Sequence, residues 1–272
     1  MTSVRAALAG ATDRLGSAGC DTPRLDAELL LAEALGAGRS ELLVSCGRRL
    51  DDARAERFEA LLRRREGREP VAYILERKGF RHLELAVDRR VLVPRPETEL
   101  LVEAGLGRPR GARVVDVGTG SGAVALALKH ERPDLCVTAT DASADALSVA
   151  RANARRLGLD VAFHRADLLA RVPGRFDAVL ANLPYVADAD LARLPPEVAD
   201  HEPRLALRGG GDGLDAIRRL VAQSRSAALV GLEVGAGQAG AVARLLAAAG
   251  FAAVDTRLDV AGIERVVVGR RG

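Results

Sequence analysis

Aromatic residues make up 3% of this 272-residue chain; tryptophan is absent, and there are two tyrosines and five phenylalanines. That scarcity excludes a protein that grips single-stranded nucleic acid on stacked aromatic faces. Lysine is scarcer still: Lys78 and Lys129 are the only two, so the basic side is almost all arginine. Arginine keeps its charge and pairs bidentately with carboxylates, which gives much of it a structural use. With 40 basic against 37 acidic residues and a net charge of +3, the surface is mixed rather than a polyanion footprint, and no direct nucleic-acid partner is expected. Cys20, Cys46 and Cys136 are odd in number and widely spaced, with no CxxC pair and no metal-ligand spacing. They read as buried small apolar residues in a reducing compartment, with no metal site. No apolar run reaches the length of a membrane span, because Glu233 interrupts one candidate and Arg244 another. The N-terminus lacks the apolar core of a signal peptide, and Asp13 argues against a transit peptide. A cytoplasmic location without a membrane partner is expected.

What is present is a globular composition, 48% hydrophobic, in a chain long enough for one large domain or one domain with a small companion. Residues 1–75 read as helices only. Leu25, Leu29, Leu30 and Leu35 fall on a helical stripe that Gly36 can stop. Asp51 or Asp52 can cap a later helix whose apolar face carries Phe58, Leu61 and Leu62, and the run Arg63, Arg64, Arg65 reads as a solvated face. Residues 76–93 change period, and partial alternation around Asp88 and Arg89 predicts a hairpin there. Pro94-Arg95-Pro96 then punctuates the chain, and Glu97-Thr98-Glu99 opens a new helix with acids near its positive end. Residues 76–93 are therefore expected to link a helical domain to a domain over 94–272.

In that second part strands and helices alternate. Strands are expected at RVVDVG, LCVTATD, VAFHRAD, FDAVLAN, ALVGLEV, FAAVDTRLD and ERVVVGRR, with Ser143 capping and Gly158 stopping one intervening helix. This is a doubly wound α/β pattern. Only Ala261-Gly262-Ile263 separates the last two strands, too few residues for a helical crossover, so they should form an antiparallel hairpin at one edge.

Four constellations follow the strands of such a sheet. The run Asp116, Val117, Gly118, Thr119, Gly120, Ser121, Gly122 joins a strand to a helix, where glycines let a ligand approach the main chain and the helix start offers free N–H groups. Its GxGxG spacing differs from the dinucleotide GxGxxG. Asp141 ends the next strand, where a carboxylate either binds a ribose diol or merely caps the following helix. Asp167 and Leu168 after the third strand could hold the amino group and the face of an adenine. Asn182-Leu183-Pro184-Tyr185 follows the fourth strand: a side-chain carbonyl, a backbone carbonyl held extended by proline, and a flat ring, together suited to a planar –NH₂ group.

DVGTGSG, Asp141 and NLPY in this order resemble class I S-adenosylmethionine-dependent methyltransferases acting on planar amino or amide nitrogen. VLVPRPETE (residues 91–99), HEPRLALRGGGDGL (201–214) and LEVGAGQ (232–238) are similar to the HemK/PrmC family. The resemblance covers essentially the whole chain. It implies a seven-stranded, mostly parallel sheet with a C-terminal antiparallel hairpin, preceded by a helical bundle and a β-hairpin linker. It implies S-adenosylmethionine as cofactor, held by Gly118, Thr119, Gly120, Ser121, Gly122, Asp141, Asp167, Leu168 and Asn182. Asn182, Leu183, Pro184 and Tyr185 would be the catalytic residues. The implied reaction is N5-methylation of the glutamine in the Gly-Gly-Gln loop of class 1 peptide chain release factors, with residues 1–75 recognising that protein substrate. Two departures stand out. Leu183 replaces the first proline of the family's NPPY, a spelling shared with rRNA adenine dimethyltransferases, and Val234 stands where a Glu-His pair is more usual. Methylation of ribosomal-protein glutamine or of rRNA adenine N6 are the alternatives. Outside that chemistry stand an NAD-dependent oxidoreductase, for which NLPY supplies no acid or base, and a non-catalytic nucleoside-binding protein.

Overall fold

The computed structural model describes residues 3–44 and 49–272, so Cys46 lies outside the described residues. The chain divides into two compact units, Met1–Arg77 with Pro195–His201, and Lys78–Leu194 with Glu202–Gly272.

The first unit is helical: α1 (Val4–Ser17), α2 (Pro23–Leu35), α3 (Arg39–Val44), α4 (Asp52–Glu66), α5 (Val71–Ile74) and, from the returning segment, α9 (Pro196–Ala199). Ser3 and Asp51 cap α1 and α4 by accepting from the amides of Ala6 and Arg54. Gly36, at φ +63°, ends α2 by turning its amide back to the last carbonyls. Leu8, Leu15, Leu30, Leu31, Phe58 and Leu62 form the core, whereas Leu25, expected on the buried stripe, is exposed. Cys20 is buried, and its thiol is pushed up by that burial. Cys20 thus bears out its reading as a buried residue, whereas Cys136 is exposed, because it opens its strand on an outward-facing position, which corrects the reading of that residue.

The arginine run of α4 is also not one solvated face. Arg63 is solvent-exposed, but the Arg65 side chain is only 6% exposed, with Nε 2.7 Å from Asp26 Oδ2 and Nη1 2.9 Å from Glu197 Oε1. Helical geometry rotates Arg65 toward α2 while Arg63 points away. Removing one partner of a buried ion pair strands the other charge. Arg65→Ala should therefore cost about 3–5 kcal/mol of unfolding free energy by denaturant titration, against about 0.5 kcal/mol or less for Arg63→Ala.

The second unit opens with a hairpin of β1 (Arg77–Phe80) and β2 (Leu83–Ala86). The turn falls at Arg81 and His82, not at Asp88 and Arg89. Arg81 takes φ +49° and is held there by its amide on Glu99 and its guanidinium on Glu131. Asp88 instead closes a separate turn, accepting from the Arg90 amide while its carbonyl accepts from Val91. Asn153 ties the hairpin to the interior, exchanging hydrogen bonds with the Ala86 backbone and donating to Ser121.

The remaining elements are α6 (Glu99–Leu106), β3 (Arg113–Val117), α7 (Ala123–Glu131), β4 (Cys136–Asp141), α8 (Ala144–Leu157), β5 (Ala162–Arg165), β6 (Ala178–Ala181), α10 (Asp215–Gln223), β7 (Leu229–Glu233), α11 (Ala239–Ala248), β8 (Ala253–Leu258) and β9 (Glu264–Arg270). They build a seven-stranded sheet in the order β5-β4-β3-β6-β7-β9-β8. The first five run parallel, and β9 lies antiparallel to both β7 and β8. Strands β6 and β7 are buried at every position, as expected of a parallel sheet covered on both faces. The strand order reverses direction between β3 and β6, and the crevice beyond the carboxyl ends of those strands is where such sheets bind ligands.

Candidate active site

A cavity of about 540 Å³ opens at that switch point, wholly within the second unit. Its size suits a ligand as large as a nucleoside. The wall is supplied by the segment 90–98, the glycine loop after β3, the ends of β4 and β5, Asn182-Leu183-Pro184 with Asp188 after β6, and residues of the stretch 203–219.

The glycine loop is held from below. Asp116, buried in β3, accepts from Thr119 Oγ1 at 2.6 Å and from the Ala125 amide at 3.2 Å, which pins the loop to the start of α7. Burial pushes its carboxyl up to about 7. Gly118, Gly120 and Gly122 sit at φ +75°, +56° and +88°, a region costly for any residue with a Cβ. Their surroundings differ. A Cβ on Gly122 would meet Leu126 at 2.9 Å, so its role is packing, and it is not on the cavity wall. A Cβ on Gly120 would meet no protein atom within 4 Å and would stand in the cavity itself.

Asp141 closes the side. Its Oδ2 accepts from the Gly120 amide at 3.0 Å and its Oδ1 from the Ser143 amide at 2.8 Å. Ser143 is the residue that caps α8, through its hydroxyl on the Ala146 amide, so Asp141 is left facing the cavity. Burial raises its carboxyl above the ordinary aspartate range despite those amides. Asp167 and Leu168 also line the cavity, with Leu168 at φ +55° and the Asp167 carboxylate paired with Arg219.

Asn182 leaves β6 onto the wall, and its Nδ2 donates to Thr98 Oγ1 at 3.2 Å. Leu183 is 4% exposed, and its side chain packs where a Cβ on Gly118 would be only 3.2 Å away. The residue that departs from proline thus fills apolar space beneath the glycine loop. Pro184 is on the wall but Tyr185 is not; its ring lies 3.2 Å from where a Cβ on Gly235 would be, and burial pushes its phenol up to about 12. Gln238 clamps the Tyr185 carbonyl at 2.9 Å while its Oε1 accepts from the Gly235 amide. The glycine run 209–213 straps the other side: Val186 donates to Leu207, Gly209 to Val186, and Asp188 to Gly210. Val234 is buried in the apolar core beside this strap.

Sequence reasoning missed Thr98, Glu233, Glu202 and Arg95 as a group. Arg95 lines the cavity and pairs at 2.7 Å with Glu202, whose carboxyl burial pushes up. Glu233 ends β7 at 2% exposure, and its Oε2 has no hydrogen-bond partner among the described residues. The motifs PRPETE, HEP and LEV were visible, but nothing in one dimension shows that their acids and arginines converge.

Burial and Glu97 push Glu233 up to about 7, with Thr98, Arg265 and Arg95 opposing. A carboxyl raised above its unfolded value keeps its proton in the native state between about pH 4.5 and 7 while the unfolded chain has lost it. Stability should therefore fall as pH rises through that window. Glu233→Gln should remove about 3 kcal/mol of the wild-type decline between pH 5 and pH 8, measured by urea unfolding.

The donor set suits S-adenosylmethionine: a glycine cradle open to the cavity, a carboxylate at the end of β4, and an acid with an apolar residue after β5. Together with the sheet order, it defines a class I S-adenosylmethionine-dependent methyltransferase. Residues 6–75 match the PrmC N-terminal domain and residues 96–201 the methyltransferase small domain. The release factor glutamine methyltransferase of Rhodospirillum rubrum is 42% identical over 266 residues, covering 95% of this chain and 82% of that protein. That of Deinococcus radiodurans is 43% identical, with 98% of each chain covered. A methyltransferase from Pyrococcus furiosus shares the fold at 18% identity, with a TM-score of 0.56 over 72% of this chain and 92% of that one. The chain belongs to the release factor glutamine methyltransferase family. Among the described residues no helix is long and apolar enough to cross a membrane, and no cluster of His, Cys, Asp and Glu could hold a metal ion.

Proposed function

We propose that this protein methylates the side-chain amide nitrogen of the glutamine in the Gly-Gly-Gln loop of class 1 peptide chain release factors. The observation that carries the reading is Asn182 on the cavity wall, with its amide nitrogen bonded to Thr98 and its carbonyl oxygen left for a ligand. S-adenosylmethionine, when bound, supplies a methyl group on a sulfonium sulfur. Gly118, Thr119, Gly120 and Ser121 hold its methionine part, Asp141 its ribose, and Asp167 with Leu168 its adenine; Gly122 serves by shaping the loop.

An amide nitrogen is a poor nucleophile because its lone pair is delocalised into the carbonyl. Among the described residues no Cys, His or Lys lines the cavity, so this chain works by positioning and electrostatics. Asn182 Oδ1 and the Leu183 carbonyl accept the two hydrogens of the substrate amide. That turns the nitrogen lone pair outward and favours positive charge as it develops there. Pro184 holds the Leu183 carbonyl in place. Tyr185 supports this turn through its clamped carbonyl and gives its ring edge to the loop at Gly235. The helical unit holds the protein substrate, so that remote contacts supply the orientation.

The test is the mass of a class 1 release factor after incubation with this protein and S-adenosylmethionine. One added methyl, absent from a Gln→Ala variant of the Gly-Gly-Gln loop, is the expected result. No added methyl, with cofactor binding confirmed by calorimetry, would overturn the reading in favour of ribosomal-protein glutamine or rRNA adenine.

A further inference from the structure

We propose that Arg95, anchored by the buried carboxyl of Glu202, is a substrate-binding residue that donates hydrogen bonds to main-chain carbonyl oxygens of the glycine-containing loop that carries the methyl acceptor. Glu202 is then its positioning residue. The inference rests on the reading of the substrate given above, and it concerns how the loop is held rather than the amide itself.

A pair of glycines has no side chains to read. A site that recognises such a loop must do so through its backbone, which glycine leaves open to close approach. The carbonyl oxygens of that backbone need donors. A guanidinium supplies them in one polarity only: five N–H groups in a fixed fork, no acceptor, and a charge that is not lost at any working pH.

Arg95 is such a group on the cavity wall, with its side chain 34% exposed. Among the described residues that side chain makes one hydrogen bond, from Nη2 to Glu202 Oε1 at 2.7 Å, so Nε and Nη1 are uncommitted. The other arginines of the wall are engaged differently. Arg90 and Arg208 each spend both Nε and Nη2 on one aspartate, Asp88 and Asp188, and Arg219 pairs with Asp167 after β5.

Position ties Arg95 to the acceptor side of the cavity. Its carbonyl accepts from the Thr98 amide at 3.1 Å, and Thr98 Oγ1 accepts from Asn182 Nδ2, so Arg95 stands one short turn from Asn182. From Glu202 the chain runs directly into Pro203, Leu205 and Ala206 on the wall, and then into the strap that bonds the backbone after Tyr185. The glycine loop after β3 takes its bonds from Thr140, Asp116 and Asp141 instead.

Glu202 decides what Arg95 can hold. Its side chain is 1% exposed, and its Oε2 has no partner among the described residues. A guanidinium already paired with a buried carboxylate is a poor site for a second carboxylate, which Glu202 would repel. Its remaining N–H groups suit a neutral acceptor, and a peptide carbonyl is one. Anchoring also removes side-chain freedom before the substrate arrives, which lowers the cost of binding. A buried carboxyl with one unpartnered oxygen is costly to keep, and for stability alone an apolar pair would serve as well or better. Holding a donor fork on the cavity wall gives that cost a use.

The experiment compares wild type with Arg95→Lys, Glu202→Leu, Glu202→Gln and the double variant Arg95→Met/Glu202→Leu, which strands no charge. Four quantities are read: kcat and KM for the release factor, calorimetric Kd for S-adenosylmethionine, and the urea midpoint. The double variant should raise KM by about 10–100-fold, as for the loss of hydrogen bonds from a charged donor, with kcat and Kd within about threefold. Arg95→Lys keeps the charge but loses the fork, and should raise KM by at least about fivefold. Glu202→Leu should raise KM by about 3–10-fold through an unanchored arginine, and Glu202→Gln, which keeps an acceptor oxygen, should stay within about twofold of wild type. A wild-type KM in the double variant would overturn the assignment of Arg95, and equal KM values for Glu202→Leu and Glu202→Gln would overturn that of Glu202. A Kd for S-adenosylmethionine raised tenfold or more, with KM for the release factor unchanged, would give Arg95 to the cofactor's carboxylate and overturn the inference too. Should the urea midpoint show the double variant unfolded, Arg95→Lys decides, and an unmoved KM there refutes the fork. If wild type itself leaves the release factor unmethylated, the functional reading fails and takes the Arg95 assignment with it; if wild type methylates it and KM does not move in the variants, only the assignment fails.

Discussion

Asn182→Ala should lower kcat for release-factor methylation by about 10²–10³-fold while leaving the calorimetric affinity for S-adenosylmethionine close to wild type. The reason is the division of labour on the cavity wall. The glycine loop and Asp141 are held by their own bonds, from the Thr140 carbonyl, from Asp116 and from the Ser143 amide, none of which involves the Asn182 side chain. Truncating Asn182 therefore leaves the glycine loop and Asp141 standing and removes one of the two acceptors proposed for the substrate amide. A lost hydrogen-bonding partner of developing charge is worth about 2.7–4 kcal/mol of barrier. A variant that turned over at near the wild-type rate would refute catalysis by these two acceptors.

Gly213→Ala should abolish most activity without touching a residue on the cavity wall. Gly213 sits at φ +80°, and a Cβ there would lie 2.2 Å from the Tyr185 carbonyl oxygen and 2.5 Å from Gln238 Nε2. Both are partners in the clamp that holds the backbone just after Pro184; Gln238 Nε2 ends a flexible side chain, but the Tyr185 carbonyl is main chain, with its carbon also 3.0 Å away, and cannot swing aside. The turn after β6 must open or the strap must detach. We expect a loss of at least about 2 kcal/mol in unfolding free energy and a fall in kcat of at least about tenfold. Gly211→Ala is the control: no protein atom lies within 4 Å of its added Cβ and its φ is not positive, so its stability should match wild type. Equal stability for the two variants would show that the strap does not hold the turn.

The central strands of the seven-stranded sheet were legible because a parallel sheet buried on both faces writes itself as continuous apolar runs, and β6 and β7 are such runs. Ser143 and Gly158 marked α8 because capping is chemistry local to a few residues. The hairpin turn was misplaced by several residues. Asp88-Arg89 looks like a turn and is one, but the strands reverse at Arg81, where a left-handed arginine is tolerated only because Glu99 and Glu131, distant in sequence, hold it. Arg65 looked like its exposed neighbour Arg63 for the same reason: its acceptors come from α2 and from the segment that returns at Pro195–His201.

The sequence by itself determined the class of sheet, the glycine loop, the carboxylate that ends β4, and the Asn-Leu-Pro-Tyr turn that follows β6. Each of these is a short stretch whose backbone needs or side-chain chemistry are complete within a few residues. Only the tertiary structure decided which of those residues face the cavity. It set Gly122 and Tyr185 off the wall, put Leu183 beneath the glycine loop, and brought Thr98, Glu233, Arg95 and Glu202 to one place from three separated motifs. Hydrogen-bond polarity and burial are properties of neighbours in space, and the strand order that creates those neighbours, β3 beside β6 and β6 beside β7, is not the order of the chain.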